Sequence, residues 1–314
     1  MLNRRYLRIK TMQTLYSYFQ QDKADIGFYE KELFKSLDKI YDLYIYVLAL
    51  FNDIHHTAHL VIEENKNKRL PSKEDLEPNL KFINNSLLVA LSHSTELKKE
   101  LANRKISWQN DFDLVRKLYS ELRATELYKS YMATPEQSVK EDKQFLIAMA
   151  TEFLYEHELL NHLFEEKNMH WADDTFGAFS MVSRTFEAYT GGTLYLQPLY
   201  KDAEDDKNFI SILFRKTIAG DKEYETLIDQ KTKNWELDRI ASMDVLLMKM
   251  AIAEFLNVSN VPVKVSLNEY IDISKEYSTP NSKTFINGVL DKVIAELKQE
   301  NRIQKTGRGL MEGN

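Results

Sequence analysis

The chain has 314 residues, enough for one large or two ordinary domains, and its 42 Lys+Arg against 48 Asp+Glu leave a formal charge of −6. That balance excludes a protein that coats nucleic acid over its whole surface, so any RNA contact has to be local. The sequence contains no cysteine, which excludes disulfides, zinc knuckles and thiol catalysis.

Glycine and proline are sparse, nine and six residues respectively, and apolar residues recur three and four apart. Together these read as an all-α protein. In chain order the pattern predicts helices over 3–21, 28–66, 74–104, 109–132, 135–167, 174–189, 206–219, 222–233, 238–256, 263–277 and 280–298. Several starts have a capping rationale: Ser72 ahead of Glu74 and Asp75, Thr134 with Pro135 and Gln137, and Thr279 with Pro280 at the first helical position. Gly288 lies inside the last helix, where glycine costs about 1 kcal/mol against alanine, so a close approach by another backbone or a ligand is expected there. The most apolar stretch, Ile40 to Ile54, is broken by Asp42, Asn52 and Asp53. A bilayer span needs about 20 apolar residues, so this stretch reads as a buried helix.

Charge is distributed unevenly. Arg4, Arg5, Arg8 and Lys10 precede the first acidic residue, Asp22, with no apolar signal core among them. On a helix, Arg4 and Arg8 share a face with Arg5 beside them and Gln13 further along. This spacing suits successive phosphates, and Tyr16 offers an aromatic face for a base. A solvated basic helix start would look the same. His55 and His59 have the i, i+4 spacing of a helical metal pair, with Glu63 a turn on, but His56 stands where a zinc protease needs Glu. Buried polar positions on a long helix explain them better. There is no Gly-rich phosphate loop and no nucleophile elbow, so no catalysis and no cofactor are expected.

Near the C-terminus, Val261 to Leu297 reads VPVKVSLNEYIDISKEYSTPNSKTFINGVLDKVIAEL. This segment resembles the C-terminal signature of the NusB family of transcription antitermination factors. Trp235, Leu237, Asp238, Arg239 and Ile240, then Val245, Leu246, Met248, Lys249, Ala251, Glu254 and Phe255, resemble the family's preceding helix. Arg4, Arg5, Tyr6, Leu7, Arg8, Met12, Gln13, Leu15 and Tyr16 resemble its arginine-rich N-terminal motif. Leu7, Ile9 and Thr11 depart from that motif, adding apolar surface to the first helix. Typical family members are less than half this long. The resemblance therefore implies NusB-like parts at 1–35 and 205–298 and a helical insertion over 36–204, and the residues 299–314, with Lys305, Gly307, Arg308 and Gly309, read as a disordered tail.

The insertion could be a degenerate repeat. At an offset of 64, Asp142, Lys143, Phe145, Leu163, Lys167, Trp171 and Asp174 align with Asp206, Lys207, Phe209, Leu227, Lys231, Trp235 and Asp238, and the helix 116–131 echoes the first helix. Ordinary self-similarity among helices rich in Leu, Lys and Glu is the alternative.

The resemblance implies a cytoplasmic, stoichiometric factor that binds boxA RNA of nascent ribosomal RNA transcripts. It would act together with the small ribosomal subunit protein NusE on the elongating RNA polymerase, with no membrane partner. RNA contacts would fall to Arg4, Arg5, Arg8, Gln13, Tyr16, Lys249, Lys283 and Phe285, and protein contacts to Tyr16 and Asp244. The alternative is a NusB-fold interaction module without RNA binding. The missing cysteines and the missing Gly-rich strand-to-helix turn argue against a fused RNA methyltransferase, another setting for such domains.

Overall fold

The computed structural model describes residues 1–21, 24–135, 137–232 and 240–310. Every regular element among them is helical. In chain order these are α1 (Arg4–Phe19), α2 (Ile26–Lys66), α3 (Lys73–Leu76), α4 (Ser86–His93), α5 (Thr95–Arg104), α6 (Phe112–Ala124), α7 (Glu126–Ala133), α8 (Val139–Ala148), α9 (Glu158–Lys167), α10 (Thr175–Ala188), α11 (Ala203–Ala219), α12 (Asp221–Lys231), α13 (Ser242–Asn257), α14 (Val263–Tyr277) and α15 (Ser282–Gln299). None of the described helices is long and apolar enough to cross a membrane.

Three expected helices are subdivided, each for a local reason. The 74–104 stretch becomes α3, α4 and α5. Pro78 disfavours helix at the residue before it, Asn85 caps α4 by accepting from Leu87 N and Leu88 N, and Ser94 ends α4 while capping α5. Thr125 likewise ends α6 and caps α7 through Tyr128 N. The 135–167 stretch starts only at Val139, where Ser138 accepts from Glu141 N, so the box expected at Thr134 is not used. A π-helical turn at 149–154 and a new cap at His157 then separate α8 from α9. The last helix also starts late. Thr279 N donates to Ser282 Oγ, and Ser282, almost fully buried, donates to Asp244 Oδ2 at 2.8 Å. Pro280 therefore belongs to the turn and α15 begins at Ser282.

The chain divides into a central unit, Asp38–Leu199 with Met1, and a terminal unit, Leu2–Leu37 with Tyr200–Asn314. In the central unit the apolar run of α2 is buried from Leu43 to Phe51. Tyr46 stacks on Trp108 with ring centroids 4.2 Å apart, and the Trp108 indole N–H donates to Tyr46 O at 2.9 Å. Trp171 stacks on the same tyrosine and donates to Lys39 O. His55 and His59 face each other at 3.3 Å, and His55 Nε2 lies 2.8 Å from Ile83 O. Among the described residues no three His, Cys, Asp or Glu side chains converge as metal ligands.

In the terminal unit, α13 is the hub. It is buried from Leu246 through Phe255 and packs against α1, α11, α12, α14 and α15, as a helix apolar on every side must. Asp142 and Asp206, paired in the proposed repeat, both sit on the fourth residue of a helix and accept backbone N–H groups. Asp142 takes Ser86 N, and Asp206 takes Lys201 N and Asp202 N. The helix meant to echo α1 is broken at Thr125, and Trp235 and Asp238 lie outside the described residues, as do Leu237 and Arg239.

The tail differs from its expected disorder as far as Leu310. Lys305 Nζ donates to Val258 O at 2.6 Å at the open end of α13, Thr306 N donates to Ser259 O at 3.0 Å, and Arg302 pairs with Glu223. A lysine suits the carbonyl-rich end of a helix. Burial pushes its ammonium down to about 8, and the Glu254 charge opposes that shift only in part.

Gly288 departs from the expected close backbone approach. A Cβ built there meets nothing within 4 Å, so no backbone approaches. Its cost is not recovered by packing, and Gly288→Ala is expected to raise stability by about 0.5–1 kcal/mol. Urea unfolding at unchanged m would register this as a higher midpoint, and a lower midpoint would show that the open face is needed for folding.

Candidate nucleic-acid interface

The site begins at the N-terminus of α1. Asn3 caps the helix, its Oδ1 accepting from Tyr6 N at 2.9 Å, which places Arg4 and Arg5 in the first turn. Cations are unfavourable next to a helix N-terminus, and carboxylates from two other helices converge on them. Arg4 Nη2 lies 2.5 Å from Asp205 Oδ2 in the first turn of α11, its guanidinium is 4.8 Å over the Phe209 ring, and Asp206 is 3.8 Å away. Arg5 donates to both Glu269 oxygens, at 2.9 and 3.1 Å, and to Asp272 Oδ2 at 2.8 Å, both acids on α14. Arg4 and Arg5 remain partly solvent-exposed, with 25% and 37% of their side chains accessible.

Arg8 departs from its expected role. Its side chain is 2% exposed and its fork closes on Glu254 through Nε to Oε2 at 2.9 Å and Nη2 to Oε1 at 2.6 Å. Ser266 Oγ and Tyr270 O–H also donate to the Glu254 carboxylate, at 2.6 and 2.8 Å. Burial alone would raise the carboxyl, but the Arg8 charge and these donors hold Glu254 below its ordinary value. Arg8 therefore ties α1 to α13 and offers nothing to a phosphate. Lys10 is buried as well.

The far end of α1 carries a different surface. Tyr16 and Phe19, 39% and 38% exposed, line a groove of about 410 Å³ with Val245, Leu246, Asp221 and Glu225. Lys249 is in its wall but not available to RNA. It is 8% exposed, bonds Asp221 and Glu225 at 2.7 Å each, and lies 5.8 Å from the Phe19 ring centre. Asp244 does not face a partner either: it is buried, accepting from Ser278 and Ser282, and it pins the turn before α15 to α13. Gln13 is half-buried on α1. Lys283 is exposed and Phe285 half-buried on the first turn of α15, a different helix from the other candidates. Asn287 donates to Asp291 one turn along its own helix.

Glu254 and the carboxylates around Arg4 and Arg5 went unread in the sequence. Glu254 had a usable signal: an acid inside the apolar stretch Met250–Leu256 implies a buried cation, and Arg8, flanked by Leu7 and Ile9, is one that the sequence offers.

A model described as the NusB family matches residues 187–295. The transcription antitermination protein NusB of Salinibacter ruber is 44% identical over 114 residues, 36% of this chain and 71% of that protein. The chain belongs to the NusB family. The proteins of the same name from Chloroherpeton thalassium and Desulfatibacillum aliphaticivorans are 43% and 39% identical over 106 and 102 residues. These cover 34% and 32% of this chain, and 50% and 71% of those proteins. No solved structure matches the chain. The NusB-family model spans α11 to α14 and most of α15, while α1 with its arginines lies outside the matched segment.

Proposed function

We propose that the protein is a transcription antitermination factor of the NusB type that binds boxA-type single-stranded RNA together with NusE on elongating RNA polymerase, in the cytoplasm, in support of ribosomal RNA transcription. The observation that carries this reading is the division of α1 into two chemically distinct ends. Its first turn offers two accessible guanidinium groups, suited to phosphates. Its last turn offers two accessible aromatic rings beside a groove of mixed apolar and charged lining, suited to a protein partner. Sixteen residues at 1.5 Å per residue separate the ends by roughly 24 Å, room for two ligands on one helix. The names of the NusB relatives support the same assignment. Lys283 and Phe285 are secondary RNA candidates on α15.

Fluorescence anisotropy with boxA RNA and a scrambled control, titrated with this protein, NusE or both, tests the reading. The pair is expected to bind boxA more tightly and selectively than either alone. Arg4→Ala/Arg5→Ala should weaken RNA binding about tenfold while NusE is retained, and Phe19→Ala should weaken NusE capture by a similar factor. The carboxylates already occupying Arg4 and Arg5 favour the other reading, an interaction module without RNA binding. NusE capture with no RNA gain from the pair would establish that reading.

A further inference from the structure

Arg4 and Arg5 are accessible but not vacant. Asp205 and Asp272 hold them from the rim of the site, with 48% and 36% of their side chains exposed. Neither acid is needed to neutralise a buried charge: Arg8 has Glu254, and Arg5 already has the bidentate Glu269. A guanidinium accepts a carboxylate or a phosphate with the same planar fork, so the two compete for one position.

We propose that Asp205 and Asp272 are internal counterions which RNA phosphates must displace from Arg4 and Arg5, so that these two carboxylates set how tightly the protein holds RNA. This rests on the RNA-binding reading above. Displacement has a definite electrostatic consequence. A phosphate that meets a free cation releases its condensed counterion, and the salt dependence of binding counts such releases. A phosphate that evicts Asp205 leaves that carboxylate to recruit a cation from solution, so the release is cancelled and the freed acid also repels the incoming strand. Asp272 keeps Lys275, 2.6 Å away, so its eviction cancels less of the release. The wild-type protein should therefore show weaker binding and a shallower salt dependence than its arginines alone would give.

Asp205→Asn and Asp272→Asn test this, because asparagine keeps the size and an acceptor oxygen and removes only the charge. With labelled boxA RNA and NusE present, each substitution should tighten binding about three- to tenfold. Asp205→Asn should also steepen the slope of log K against log salt by about 0.7, the single-strand value per phosphate, and Asp272→Asn should steepen it by less, since Lys275 already pairs with that acid. Adding Arg4→Ala to Asp205→Asn should abolish that gain. A purely structural role would lower the melting temperature and leave the slope alone. If wild-type protein binds boxA selectively and both asparagine variants match it in affinity and slope, the counterion role is wrong and the RNA reading stands. If neither wild-type nor variants prefer boxA over the scrambled RNA, both fall.

Discussion

Glu254→Ala is expected to destabilise the protein by about 3–5 kcal/mol, because it strands the buried Arg8 guanidinium without a partner. Arg8→Ala should cost less, since Ser266 and Tyr270 still donate to Glu254 and the carboxyl can take up a proton. Replacing both, as Arg8→Leu/Glu254→Leu, should recover much of the loss, because a buried ion pair often contributes little more than apolar residues of similar volume. Urea unfolding of the four proteins gives the cycle, and single variants within 1 kcal/mol of wild type would refute the pairing. The pH dependence has a definite sign. Glu254 is held below its ordinary value of 4.5, so its contribution is complete above that value and is lost as pH falls through the lowered folded value. Under the proposed RNA-binding function, Arg8→Ala acts only by loosening α1, so any loss of RNA binding in that variant is accompanied by a lower urea midpoint.

Trp108→Ala should remove a similar amount, about 3–5 kcal/mol, from the central unit. The indole is 1% exposed, stacked on Tyr46, and its N–H donates to Tyr46 O, a bond the substitution removes together with the stack. Trp108→Phe, which keeps a ring but not the donor, should cost about half as much. Hydrogen exchange resolved along the chain reads the result: amides in residues 38–199 should lose protection in Trp108→Ala. Unchanged protection there would mean that the Tyr46–Trp108 stack does not organise the unit.

The helices were legible where apolar spacing was long and uninterrupted, as in α1, α2, α10 and α14. They were misread where one polar residue ends one helix and begins the next, as Ser94 and Thr125 do. Periodicity continues across such a joint while the backbone does not. At the candidate site, the basic run at residues 4–10 could be counted from sequence, but its accessibility could not. Arg4, Arg5 and Arg8 are equivalent as letters, and only the fold distinguishes an arginine meeting Asp205 at the rim from one closed on Glu254 in the core. Lys249 and Asp244 failed for the same reason. Each is a charge on an apolar helix, whose partners at 221, 225, 278 and 282 come from sequence-distant segments that no periodicity links to it.

The pairing of Arg8 with Glu254, 246 positions apart, also bears on how the protein is made. At roughly 5–20 residues per second, α1 leaves the ribosome some 12 to 50 s before α13, with Leu7, Met12 and Leu15 lacking one of the helices packed on α1. The central unit, contiguous from residue 38 to 199, is fully synthesised about 3 to 11 s before Glu254. Synthesis therefore delivers a finished middle and an unfinished beginning, and during that interval the exposed apolar stripe of α1 is a natural target for a chaperone.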